Sequence, residues 1–181
     1  MSEKQKEIIE SFIYEYPVCE VYHIDVKDLI ITDEVRQMCA NEFRGGTPGW
    51  FYPPALDSLE ECLERVHYYD HGFIFSTVTE VNDAQDFMGC TEARKNHERL
   101  SQEIQERFRS YFGDVMTLTT GCSICDTCHC AEGECLHPEE RLYTMESHGI
   151  MMMRTLVDVG MTYDYGNKVA TYFTLILYCE S

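Results

Sequence analysis

The densest chemistry in the 181-residue chain lies in one stretch, Gly121-Cys122-Ser123-Ile124-Cys125-Asp126-Thr127-Cys128-His129-Cys130-Ala131-Glu132-Gly133-Glu134-Cys135-Leu136-His137-Pro138, which holds five of the ten cysteines. Cys122, Cys125 and Cys128 follow one another at C-x2-C-x2-C spacing, and Cys135 comes after six intervening residues. Thiolate sulfur is a soft donor that selects zinc, copper(I) or iron–sulfur clusters. A zinc site usually joins two C-x2-C knuckles across a dozen or more residues, because one tetrahedral ion needs two converging hairpins. Three donors in succession at x2 spacing suit a cubane instead, whose separate irons one curling loop can reach; ferredoxin runs begin the same way. The expectation is a [4Fe–4S] cluster on Cys122, Cys125, Cys128 and Cys135, with zinc as the alternative. Cys130 is a spare thiol, a substitute for Cys128 or Cys135, or a redox partner. His129 and His137 flank the run and could bond to cluster sulfurs or replace a ligand.

Four thiolates on a cubane leave no open iron, which points to electron transfer. If only three bind, the open iron is a Lewis acid, and Glu146, His148 and Tyr143 are candidate acid–base groups. A third reading is a zinc-stapled interaction module. Charge bears on all three. Fourteen Lys and Arg against 32 Asp and Glu give a formal charge of −18. That excludes an unassisted nucleic-acid binder and a protein drawn to anionic membrane surfaces. It suits a carrier steered onto a redox partner with a basic docking face, with Glu132, Glu134, Glu139 and Glu140 as the fringe. No phosphate-binding glycine loop, dinucleotide fingerprint or G-x-S-x-G elbow is present. The N-terminus leads into no apolar signal region, and no apolar stretch approaches the ~20 residues of a membrane span. The expectation is a cytoplasmic protein in a reducing compartment, where clustered cysteines mean metal or redox chemistry before disulfides. Cys19, Cys62, Cys90 and Cys179 each sit in an apolar-patterned element and read as small buried hydrophobes.

The elements that must position the loop are legible from periodicity. Ile8, Ile9, Phe12 and Ile13 predict a helix over 3–16, and Val18–Asp25 alternates as a half-buried strand. A short helix follows over Asp33–Ala40. Three Gly and three Pro make Arg44–Pro54 a loop, in which Trp50, Phe51 and Tyr52 either pack onto the domain or form an aromatic pocket. Helix to about Tyr69, strand Gly72–Glu80, a long helix Asp83–Phe112 with a possible break at Gly89, and strand Val115–Thr119 come next. Beyond the cysteine loop, Met145–Gly160 reads as helix and Lys168–Tyr178 as strand. Met151, Met152 and Met153 read as adaptable core filling. The order predicts one layered α/β or α+β domain over 1–181, with about four strands in a mixed sheet and an irregular metal loop over 121–138.

The cysteine block and its sequel resemble a cysteine-rich family of predicted metal-binding proteins of anaerobic bacteria and archaea. The shared pattern is G-C-x2-C-x2-C-x6-C-x-H-P-E followed by Ser/Thr-Met-Glu and Gly-Ile, present here as Gly121 to Cys135, His137-Pro138-Glu139, Thr144-Met145-Glu146 and Gly149-Ile150. The likeness runs in outline to Gly166 and the strand with Tyr172-Phe173, and is sharp over 121–150. It implies metal binding. Family members also carry an earlier block in which an Arg and a Cys precede Trp-x-Cys-Pro-Pro. In this chain Val35-Arg36-Gln37-Met38-Cys39 retains the first cysteine, while Phe43 and Tyr52 stand where others are expected, and Leu136 replaces the usual Arg. Phenyl and phenol rings supply no thiolate, so the resemblance implies one retained centre.

Overall fold

A five-stranded sheet is the spine of the computed structural model, which describes residues 1–42, 49–83 and 85–179. Its order is β1 (Val21–Asp25), β2 (His71–Glu80), β5 (Val169–Tyr178), β3 (Val115–Thr119) and β4 (Tyr143–Thr144). β2 and β5 pair antiparallel along their whole length, from His71 opposite Tyr178 to Glu80 opposite Val169. β1 on β2 and β3 on β5 are also antiparallel. Only β3 and β4 run parallel, with Leu118 opposite Tyr143 and Thr119 opposite Thr144.

Both faces of the sheet are covered, because successive side chains of the central strands point to opposite sides. Phe73 and Phe75 of β2, with Ile176 and Tyr178 of β5, join Ile9, Phe12 and Ile13 of α1 (Glu3–Ile13) and Ile104, Phe108 and Phe112 of α4 (Phe87–Phe112). The intervening residues Ile74, Leu175 and Leu177 join Val66 of α3 (Leu59–His67), Met152 and Leu156 of α5 (Met152–Val159), and Met145 and Ile150. The result is a single mixed α/β domain, helices on either side of one sheet. α2 (Asp33–Glu42) packs on the 3-10 turn Glu146–His148, where the Arg36 guanidinium donates to the Ser147 carbonyl.

The expected mixed sheet of about four strands is present, with five strands among the described residues; β4, two residues long, is too short to carry an alternation. Several element bounds are corrected. The helix expected over Met145–Gly160 breaks into the 146–148 turn and α5. Gly149 forces the break at φ 74°, where a Cβ would lie 2.8 Å from the Thr32 carbonyl oxygen, and Ile150 then bridges to Ile31. α1 stops at Ile13 and β1 starts at Val21. α4 begins at Phe87 under an Asp86 cap and runs through Gly89 unbroken. The loop expected over Arg44–Pro54 lies outside the described residues as far as Pro48. Among the described residues no helix is long and apolar enough to cross a membrane.

Candidate metal centre

Parallel neighbours need a crossover, and the chain between β3 and β4 is that crossover. Its only helical piece is the 3-10 turn His129–Ala131. From Cys122 to Arg141 no residue is buried, so no apolar core of its own holds this segment in place. A crossing without a core needs another cross-link, and the cysteines stand along it.

Cys122, Cys125, Cys128 and Cys135 line one cavity of about 20 Å³ beyond the end of β3; Cys130 does not line it. Among the described residues no three His, Cys, Asp or Glu side chains are already gathered closely enough to hold a single ion. The Cys122 sulfur accepts hydrogen bonds from the Ile124 and Leu142 amides, so the start and the end of the crossover meet at this atom. Burial pushes the Cys122 thiol up, those amides pull it back, and Cys135 raises it again. Cys125 is raised by burial and then by Cys135 and Cys128. Burial first, and neighbouring thiols after it, favour the protonated form of Cys122 and Cys125, so that cation binding to these two releases protons.

Trp50, Phe51, Ile124 and Leu136 supply the apolar part of the wall, and His129, His137 and Arg141 the polar part. Each histidine has a carboxylate beside it: Nδ1 of His129 is 3.0 Å from Glu132, and Nδ1 of His137 is 3.7 Å from Glu140. The Arg141 guanidinium lies 4.8 Å over the Tyr143 ring and donates to the Tyr143 hydroxyl, which also accepts from Arg65 at 3.1 Å. Two N–H groups of the wall residues, Trp50 Nε1 and Arg141 Nε, are buried without any acceptor. Soft sulfur donors combined with unpaired N–H donors match a metal group that itself carries anionic acceptor atoms.

The loop is tied to α4 by a buried acid. Glu98 has 0 % exposure and accepts from the Thr120 hydroxyl at 2.9 Å, from the Ser123 hydroxyl and from Arg94. Burial raises its pKa, and Arg94 opposes the rise. Gly121 lies between the two tethered residues, and a Cβ there would come within 3.0 Å of Glu98 Oε1 and 3.2 Å of Arg94 Nη1. The Tyr52 hydroxyl adds a bond to the Thr120 carbonyl at 3.3 Å. Arg109 of α4 holds the far side through the Glu139 carbonyl at 2.8 Å.

Other expected residues lie elsewhere. Glu146 lines a separate cavity of about 310 Å³ with Cys39 and Tyr52, and His148 is fully buried with its ring edge-on to Tyr143; neither lines the thiol cavity. Phe43 is outside the described residues. Cys62 is buried as expected, but Cys19 is exposed, 3.4 Å from the Tyr165 hydroxyl, because β1 begins two residues after it; Cys90 and Cys179 are half-buried. Sequence reasoning missed Glu98 and Arg141. Trp50, placed between a glycine and two prolines, was the available signal for a wall residue.

A sheet-and-helix domain that carries four cysteines along the wall of one cavity on a core-less crossover has the frame of a metal-binding protein. The chain belongs to the family described as predicted metal-binding protein (DUF2284), whose model matches residues 22–178. That span takes in every strand but the first residue of β1, together with the whole crossover. The chain matches no curated protein and no solved structure.

Proposed function

We propose that Cys122, Cys125, Cys128 and Cys135 hold a [4Fe–4S] cluster and that the protein exchanges electrons with a larger partner presenting a basic face. The observation that carries this reading is the sharing of one cavity by these four thiols, with the fifth thiol of the run left off it. When bound, such a cluster supplies reversible one-electron chemistry. The chain's own residues do the rest. The Ile124 and Leu142 amides stabilise the Cys122 thiolate, and Trp50, Phe51 and Leu136 limit water at the sulfurs. The site is close to the surface: Glu132, Glu134, Glu139 and Glu140 around it are all exposed, which brings a basic partner within short range of the metal. A cytoplasmic setting, where thiols stay reduced, is part of the same proposal.

A second reading, a zinc-stapled interaction module, is favoured by the cavity's size. About 20 Å³ is little more than the ~10–15 Å³ that one water requires, and a cubane obliges the exposed Asp126–Thr127 side of the loop to open outward. Elemental analysis decides. Anaerobically purified protein is expected to contain iron and acid-labile sulfide in equal amounts, with an EPR signal on reduction, and Cys128→Ser is expected to lose most of both. Zinc without sulfide in the wild type establishes the staple instead. Iron unchanged in Cys128→Ser rejects the ligand set.

A further inference from the structure

Two wall residues of the thiol cavity do something the ligand set leaves unexplained. The indole of Trp50 has a single polar atom, a donor, and this Nε1–H is buried with no acceptor; the Nε–H of Arg141 is in the same condition. Buried donors are almost always paired, so two orphans on residues that line one small cavity call for an acceptor inside it. Arg141 is not free to turn to one elsewhere. Arg141 is pinned through its other end, with the guanidinium 4.8 Å over the Tyr143 ring and Nη2 on the Tyr143 hydroxyl. Tyr143 is itself fixed in β4 and held by Arg65 at 3.1 Å. Trp50 comes from a distant part of the chain, before α3, and reaches the cavity beside Phe51.

We infer that Trp50 Nε1–H and Arg141 Nε–H donate hydrogen bonds to sulfur atoms of the metal group held in this cavity and so set its reduction potential. The inference rests on the iron–sulfur reading. Reduction adds one electron to a sulfur-rich anion, and donors aimed at the sulfurs stabilise the reduced state more than the oxidised one. The guanidinium adds a full positive charge in the same direction. Together with the two amides on Cys122, these residues raise the potential above that of the same four thiolates in water. They are positioning and tuning groups; the metal is held by the cysteines.

The test is an EPR-monitored redox titration of cluster-loaded protein, comparing wild type, Trp50→Phe, Arg141→Lys and Arg154→Lys. Trp50→Phe keeps an aromatic wall and removes the N–H; Arg141→Lys keeps the charge and removes Nε; Arg154→Lys makes the same change at an exposed α5 side chain that pairs with Asp158 and does not line the cavity. Each of the first two is expected to lower the reduced-to-oxidised ratio at a fixed potential by up to ~10-fold, equivalent to ~59 mV for one electron. Arg154→Lys is expected to stay within about twofold. Proton ENDOR of the reduced wild type in D2O against H2O reports exchangeable protons coupled to the cluster, and Trp50→Phe is expected to lose one. If Trp50→Phe loads poorly, benzothienylalanine at position 50, which has the indole's shape and no N–H, gives the same comparison. Loaded variants with wild-type potential and wild-type couplings overturn this inference and leave the cluster standing. Wild type lacking iron and sulfide overturns the reading beneath it.

Discussion

His97 and Glu98 are neighbours on α4, exposed by only 2 % and 0 %, yet they belong to two different kinds of polar interior. The His97 ring has the Thr77 hydroxyl 2.8 Å from Nδ1 and the Thr174 hydroxyl 2.8 Å from Nε2. Thr174 in turn meets Ser101 at 2.7 Å and Thr119 at 2.8 Å, so one helix and three strands are stitched into a network closed by protein atoms alone. Glu98, one residue on, reaches into the crossover through Thr120 and Ser123. The Trp50 and Arg141 donors, on residues that line the thiol cavity, are unpaired. A closed network is architecture. The open one, on half-buried residues of the cavity wall, is where the proposed metal group would supply the missing acceptors.

The comparison breaks most visibly in stability. His97→Ala strands the Thr77 and Thr174 hydroxyls and opens a hole, and is expected to cost about 3–4 kcal/mol in urea unfolding while folded protein keeps its metal. Acid tests the same network. Burial depresses the His97 pKa to about 4 from an ordinary 6.5. Between those values the unfolded chain binds the proton and the folded chain does not, so stability falls as pH drops through the window. The share from His97 amounts to about 3 kcal/mol when the window has been crossed. His148, depressed by burial to about 3, acts in the same direction. His97→Gln, which keeps a hydrogen-bonding side chain and removes the titration, is expected to flatten the stability–pH curve by that share relative to wild type.

Glu98→Ala is the reciprocal experiment. It releases Thr120 and Ser123 on either side of Gly121, and so loosens the entry to Cys122. Groups that orient a ligand from behind typically govern about 10–100-fold in metal affinity, and a loss of that size is expected in chelator competition, with a smaller loss of stability than His97→Ala. Glu98→Gln, which still accepts one bond, is expected to fall between. If His97→Ala strips the metal as thoroughly as Glu98→Ala, the two networks are one, and the distinction is void.

What could be read in the sequence divides along the same line. β2 and β5 announce themselves because Phe73, Ile74, Phe75 and Leu175, Ile176, Leu177 are apolar on both faces, and α4 because Ile104 and Phe108 recur at helical spacing. The cysteine run is legible because its ligand spacing is local. β4 is not, since two residues gain strand geometry only by lying beside Leu118 and Thr119. Glu98 reads as one more acid on a charged helix; only the helix's placement against Thr120 and Ser123 buries it. Arg141 has no local mark at all, and its role depends on Tyr143 and on Trp50 arriving from ninety residues away. Local pattern encodes the elements and the ligands, while the shell around the ligands is a property of the register between them.

The smallest expected effect is also the most exacting test of the open network. Cys130 belongs to the same run and lies within two residues of Cys128, and its thiol is raised by burial and then by Cys128, so spacing alone does not separate it from the ligands. Position does: it occupies the middle of the 129–131 turn and takes no part in the cavity wall. Cys130→Ser should therefore retain iron and sulfide to within about twofold under conditions in which Cys128→Ser loses most of them, a ligand's removal being the larger perturbation. Equal losses from the two substitutions make Cys130 a ligand. The loop then closes on a different set of sulfurs, and the wall drawn by Trp50 and Arg141 no longer encloses the metal.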